Sequence, residues 1–254
     1  MRTCLAVLTV GCGTPDGLDA PAIQSPSEDS ISLTHAPMAR VVIPSFDALI
    51  GQVDPRTDTA FAPIPDSLTS RPGMHLRKDA LDAYIAMCRS AQIAGLEWKV
   101  ISATRTFGHQ KNIWERKWAR PRYMGWSDLE KAQDILFYSS MPGSSRHHWG
   151  TDVDIYSLDP KDFESGTGAE VLEWMRNHAA AFGFAEVYSA DSTRSGYQPE
   201  AWHWSYLPLS GPFLEAFNRY AESTEFPGFI GFEGAHTADS LRILERYVNG
   251  IAPL

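Results

Sequence analysis

Residues 142–156 read PGSSRHHWGTDVDIY, a Gly-Ser-Ser turn followed by two adjacent histidines and a run that ends in the strand-like Ile155 and Tyr156. His147, His148, Asp152 and Asp154 crowd into this one stretch. Such a cluster can ligate a metal, and it can equally be a polar loop. Its meaning depends on what the rest of the chain brings to it.

Downstream, residues 169–182 place Val171, Leu172, Met175, Ala179 and Phe182 at helical spacing, with Gly183 as the cap. Residues 184–188 read as a strand, 189–199 as a polar excursion, and PEAWHWSY at 199–206 has strand composition around His203. The remainder predicts helices over 212–222 and 236–249. Upstream, residues 128–140 form a short helix with Leu129, Ala132, Ile135 and Leu136 on one face. WKVISA at 98–103 reads as a buried strand, and Ile113, Trp114 and Trp118 suggest a helix after it. Residues 76–94 make the first strong helix, terminated by Gly95, whereas the Pro-interrupted segments from Val41 onward wrap a core without long regular elements.

With 43% hydrophobic residues and eight Trp among 254, the chain can bury a sizeable core. Its 22 basic and 31 acidic residues give a net charge of -9, which argues against a nucleic-acid partner, since that needs a basic face. No apolar run is long enough for a transmembrane helix. Residues 1–12 look like a short export leader whose Thr9-Val10-Gly11-Cys12 end resembles a lipobox, with Cys12 as a possible lipid anchor. Residues 13–39 read as a flexible linker and 40–254 as the folded domain. With Cys4 and Cys12 in the leader, Cys88 is left without a disulfide partner, and a monomer is expected.

A catalytic zinc takes three protein ligands and keeps a fourth position open. His147, Asp154 and His203 provide such a set, and Glu200 lies close enough to His203 to serve as the base. A regular strand would point residues three apart to opposite faces, so this reading requires a bulge or turn after Pro199. A polar loop plus a core histidine fits the same residues. Arg105 and Gln110, just past the strand at 98–103, either project into a cleft or are ordinary surface residues.

Ser145-x-His147-x-x-Gly150-x-x-x-Asp154, followed by Glu200-x-x-His203 and preceded by Ser102-x-x-Arg105-x-x-x-x-Gln110, resembles the zinc peptidases of the D-alanyl-D-alanine carboxypeptidase family, which includes the vancomycin-resistance dipeptidases. The resemblance implies a single α+β domain with a central, mainly antiparallel sheet flanked by helices, the Hedgehog/DD-peptidase-like fold. It implies Zn2+ held by His147, Asp154 and His203, Glu200 as catalytic base, and Arg105 as oxyanion or substrate partner. Gln110 and Ser145 would bind the terminal residue. The implied reaction is removal of a terminal D-amino acid, D-Ala above all, from peptidoglycan stem peptides in the periplasm or cell envelope, with D,D- and L,D-specificity both open. An endopeptidase or dipeptidase on cell-wall peptides, or a non-catalytic wall-binding protein, is the alternative. Two positions depart from the family pattern: Thr104, where Tyr is frequent, and Asp152, where Ala is frequent. Asp152 alternates with Asp154 and so shares its face, either competing as ligand or accepting a hydrogen bond from a ligating histidine. His148 is expected to pack away from the metal.

Overall fold

The stretch at 142–156 feeds the middle of a four-stranded sheet in a computed structural model that describes residues 41–253. In chain order the regular elements are α1 (Phe46–Leu49), β1 (Phe61–Pro63), β2 (His75–Arg77), α2 (Lys78–Ile93), β3 (Val100–Ser102), α3 (Phe107–Trp118), α4 (Asp128–Ile135), β4 (Asp152–Ile155), α5 (Gly166–His178), β5 (Phe184–Ala185), β6 (His203–Tyr206) and α6 (Leu207–Ala221). The sheet runs β3-β4-β6-β5 with every neighbour antiparallel, and β1 with β2 forms a separate antiparallel pair. This is the expected α+β architecture. The leader and linker expected over residues 1–39 lie outside the described residues.

All four residues of β4 are buried, yet they divide by pleat. Val153 and Ile155 join Val100 and Trp204 in an apolar cluster with Tyr84 and Met87 of α2 and Val171 and Met175 of α5. Asp152 and Asp154 point the other way. The register pairs Asp154 with His203 and Ser102, and Asp152 with Ser205, so the polar residues of three strands share one face. A second apolar cluster gathers Trp114, Ile135, Trp149, Phe213, Phe217 and Val248.

Several boundaries differ from the sequence expectation. The helix expected from residue 76 starts at Lys78, because Leu76 is spent on β2, where it pairs with Ala62 and is fully buried. The helix expected over 128–140 opens on a Ser127–Glu130 capping box but stops at Ile135. Residues 184–188 contribute just the two-residue β5. α6 begins earlier than expected, at Leu207, with Pro208 in its first turn. The expected helix over 236–249 is broken by Arg242 at φ 55°, leaving a 3-10 turn at Ala235–Thr237 and a π-helical turn at Leu244–Val248. No helix among the described residues is long and apolar enough to cross a membrane.

Gly51 is required twice over. It sits at φ +81°, and a Cβ there would lie 2.3 Å from His148 Nδ1. Gly51→Ala is expected to destabilise the protein by about 2–4 kcal/mol through left-handed backbone strain plus overpacking. In thermal unfolding this appears as a Tm lower by roughly 5–15 °C; an unchanged Tm would refute the packing around His148.

Candidate metal centre

His147 belongs to a 3-10 turn, Arg146–Trp149, that ends at Gly150 in the left-handed region, φ 73°, and so swings the chain directly into β4. Asp154 lies on β4 and His203 opens β6 directly opposite it. One nitrogen of each histidine and one oxygen of Asp154 lie within 4.8 Å of one another, and all three residues are buried. His147 Nε2 is 3.2 Å, and His203 Nδ1 3.0 Å, from Asp154 Oδ1. The far nitrogens are tied down: His147 Nδ1–H donates to the Ala103 carbonyl at 2.9 Å, and His203 Nε2–H donates to Asp152 Oδ1 at 3.0 Å. A carbonyl can only accept, so the proton of neutral His147 is on Nδ1 and its Nε2 lone pair faces the centre.

This geometry decides the role of Asp152. It stands behind His203, on the nitrogen that points away from the triad. Arg146 Nε donates to Asp152 Oδ1 at 3.1 Å, the Thr151 hydroxyl donates to its other oxygen, and Arg146 Nη2 donates to Ser205 Oγ at 2.8 Å. Arg146 and Asp152 are both buried, and the guanidinium also lies 4.6 Å over the Trp149 ring. Burial alone would raise the Asp152 carboxyl, but Arg146 and His203 more than offset it and hold the group ionised.

Arg105 follows β3 and is held on three sides. Its Nη2 donates to Asp154 Oδ2 at 2.6 Å, its Nε to Ser102 Oγ at 2.8 Å, and its Nη1 to Gln110 Oε1 at 3.2 Å. Gln110 Nε2 in turn donates to the Ser140 carbonyl at 2.8 Å. Gln110 is therefore fully buried with both ends of its amide engaged. The sequence reading assigns it to a substrate's terminal residue; the structure places its amide between Arg105 and the Ser140 carbonyl. His148 faces away as expected, within a turn and not an extended segment. Its Nδ1–H donates to the Arg105 carbonyl at 2.7 Å and its Nε2 accepts from Gly143 N–H at 3.1 Å, while burial lowers its pKa to about 3 and keeps it neutral.

Glu200 reaches the same side as His203 because the chain turns between them. His203 N–H donates to the Glu200 carbonyl at 3.1 Å, and Glu200 N–H is anchored on the Tyr188 carbonyl at 2.9 Å. The turn brings Glu200 Oε2 to 3.7 Å from His203 Nδ1. Burial raises the Glu200 pKa to about 8, with His203 pulling it down and Asp154 pushing it up. For His203, burial opposes the charge, yet bonds to Asp152 and Asp154 dominate and raise its pKa to about 9. The atoms that attract a proton here are the ones that would attract a cation.

These groups line a cavity of about 370 Å3. Tyr138, Leu158 and Trp202 supply apolar wall, and Tyr188 packs its ring 4.6 Å from that of His203. Ser145 also lines it, and its buried hydroxyl has no hydrogen-bond partner within the protein. Sequence reasoning missed Lys117, Tyr188 and Arg146. For Lys117 the signal was its position two helical turns beyond Gln110.

The model of the family described as VanY, D-alanyl-D-alanine carboxypeptidase, matches residues 73–209, more than half of the chain. A D-alanyl-D-alanine carboxypeptidase of Enterococcus faecalis is 30% identical over 121 residues, which cover 47% of this chain and 44% of the relative. The match thus spans less than half of that relative's length. Among solved structures, VanYB in complex with D-alanine-D-alanine aligns with a TM-score of 0.49 at 23% identity, over 78% of this chain and 92% of that one. The LdcB LD-carboxypeptidase aligns with a TM-score of 0.48 at 20% identity, over 78% and 80%. By the extent of the family match, with the residues at 102–110, 145–154 and 200–203 all inside it, the chain belongs to the D-alanyl-D-alanine carboxypeptidase family.

Proposed function

We propose that the protein is a zinc-dependent carboxypeptidase that removes the terminal D-alanine from peptidoglycan stem peptides outside the cytoplasm. The observation that carries this reading is the convergence, in one cavity, of the donor atoms of His147, Asp154 and His203 with the buried Glu200 carboxyl. Two imidazole nitrogens and one carboxylate oxygen, with no fourth protein donor among the described residues grouped there, suit a catalytic zinc. When bound, zinc supplies Lewis acidity and makes water acidic enough to ionise near neutrality.

The chain's own residues account for the rest. Glu200, deprotonated, takes a proton from the attacking water as its oxygen bonds to the scissile carbonyl carbon. It then delivers that proton to the leaving amine nitrogen as the carbon–nitrogen bond breaks. Arg105, positioned by Ser102, Gln110 and Asp154, places fixed positive charge beside the developing oxyanion. Asp152 holds the His203 ring in orientation, and Tyr138, Leu158 and Trp202 exclude water around small apolar side chains. The name of the Enterococcus relative supports D-alanine as the residue released.

Mass spectrometry of pentapeptide stems incubated with zinc-loaded protein tests the reading. The expected result is loss of one C-terminal residue, abolished when the terminal carboxylate is amidated. Internal cleavage, or equal cleavage of the amide, would replace the carboxypeptidase with an endopeptidase.

A further inference from the structure

Lys117 stands in the wall of the same cavity, on α3, seven residues past Gln110. Seven residues are two helical turns, so Lys117 shares a helix face with Gln110, about 10 Å farther along the axis. The Gln110 end of that face holds Arg105. The Lys117 end holds an ammonium that has one hydrogen bond, to the hydroxyl of buried Ser139. Among the described residues no carboxylate lies within ion-pair distance of it, whereas the nearby lysines Lys111 and Lys131 both have one.

A half-buried ammonium with a single neutral partner leaves two N–H groups unmatched in a partly desolvated place. Burial, aided by Arg120 and Arg105, lowers its pKa to about 8, so at neutral pH it still carries its charge. Arg105 already shares its charge with the Asp154 carboxylate at 2.6 Å, whereas Lys117 has no anionic partner among the described residues. Ser145, with its unpartnered hydroxyl, adds a second donor that the protein itself leaves unused.

We infer that Lys117, backed by Ser139, is a carboxylate-binding subsite that receives an anionic group of the peptide substrate. This rests on reading the cavity as the peptide-cleaving site. Two parts of a peptide carry that chemistry: the terminal α-carboxylate and the side chain of an acidic residue. Lys117 has no hydrogen bond to Arg105 or Glu200, so engaging it leaves their contacts in place and the subsite sets affinity and not chemistry.

The test uses zinc-loaded full chain carrying Glu200→Gln, whose slowed turnover lets binding be read before the peptide is consumed, with and without Lys117→Gln. Calorimetry measures Kd for three peptides: the free-acid stem, its C-terminal amide, and a stem whose acidic side chain is neutralised. In parallel, Lys117→Gln alone is expected to raise KM at least ~10-fold with kcat within about threefold, since loss of a charged hydrogen bond is worth about 1.5–3 kcal/mol. Weaker binding of the free acid with no effect on the amide assigns the terminal carboxylate. Weakening that persists with the amide and vanishes when the side chain is neutralised assigns the acidic side chain. Kd values unchanged by Lys117→Gln for all three peptides overturn the subsite while leaving the catalytic reading intact. Peptides that fail to bind the Lys117-containing protein overturn both. Unchanged zinc content and circular dichroism in Lys117→Gln exclude a folding defect.

Discussion

Glu200→Gln lowers turnover of a stem pentapeptide by about 10³-fold while zinc stays bound stoichiometrically, because the substitution removes a proton carrier and not a ligand. The three converging donor atoms come from His147, Asp154 and His203, and Glu200 approaches His203 Nδ1 no closer than 3.7 Å. Gln preserves the size of the side chain and the turn that begins at Glu200. The pH profile gives a second readout. A general base must be ionised, so the rate rises with pH through the Glu200 pKa, which burial sets at about 8 before any cation is added. A bound cation favours the carboxylate, so the acid limb of the profile falls below pH 8 and is absent from the residual rate of the Gln variant. Elemental analysis with stopped-time product assays checks both, and near-normal turnover in this variant would sink the mechanism.

The second large effect concerns Asp152. Asp152→Ala leaves Arg146 buried without its carboxylate, a loss of about 3–5 kcal/mol in unfolding free energy, and releases the His203 ring from its Nε2 partner, which lowers zinc affinity roughly 10–100-fold. The two effects come from different atoms and can be separated. Adding Arg146→Met removes the stranded charge and restores most of the stability, since an apolar replacement for a buried pair is often neutral. It does not restore zinc affinity, because His203 still lacks its acceptor. Denaturant titration of the metal-free protein and chelator competition for zinc measure the two quantities. If Asp152→Ala unfolds at the parent's midpoint, or if the double variant regains full zinc affinity, the arrangement is wrong.

What the sequence made legible was local. His147 and Asp154 sit in one short motif, and β4 carries two of the groups that matter, so the pleat alone predicted that Asp152 and Asp154 would share a face. Glu200 with His203 was legible as a pair but not as a geometry, because the turn between them depends on Glu200 N–H finding the Tyr188 carbonyl. Buried charge was harder to see. Arg146 and Lys117 have the side chains of surface residues, and their burial follows from partners such as Asp152, Ser205 and Ser139 that tertiary structure supplies. Gln110 was legible as either a cleft residue or an exposed one, and neither reading showed that its amide is closed off by Arg105 and Ser140. The break at Arg242 has no breaker residue to announce it, since neither Gly nor Pro stands there.

The pairing of β4 with β6 also has a consequence for assembly fidelity. Asp154 faces His203 on one side of the sheet, while Val153 and Trp204 pair on the other. Sliding β6 by one residue would send His203 into hydrocarbon and Trp204 into the cavity, because a strand's side chains alternate with period two. The correct alignment is thus verified twice, by the oily layer beneath and by charge above. A bound ion adds a proofreading step, since it can be gripped only when both strands have closed in the proper frame.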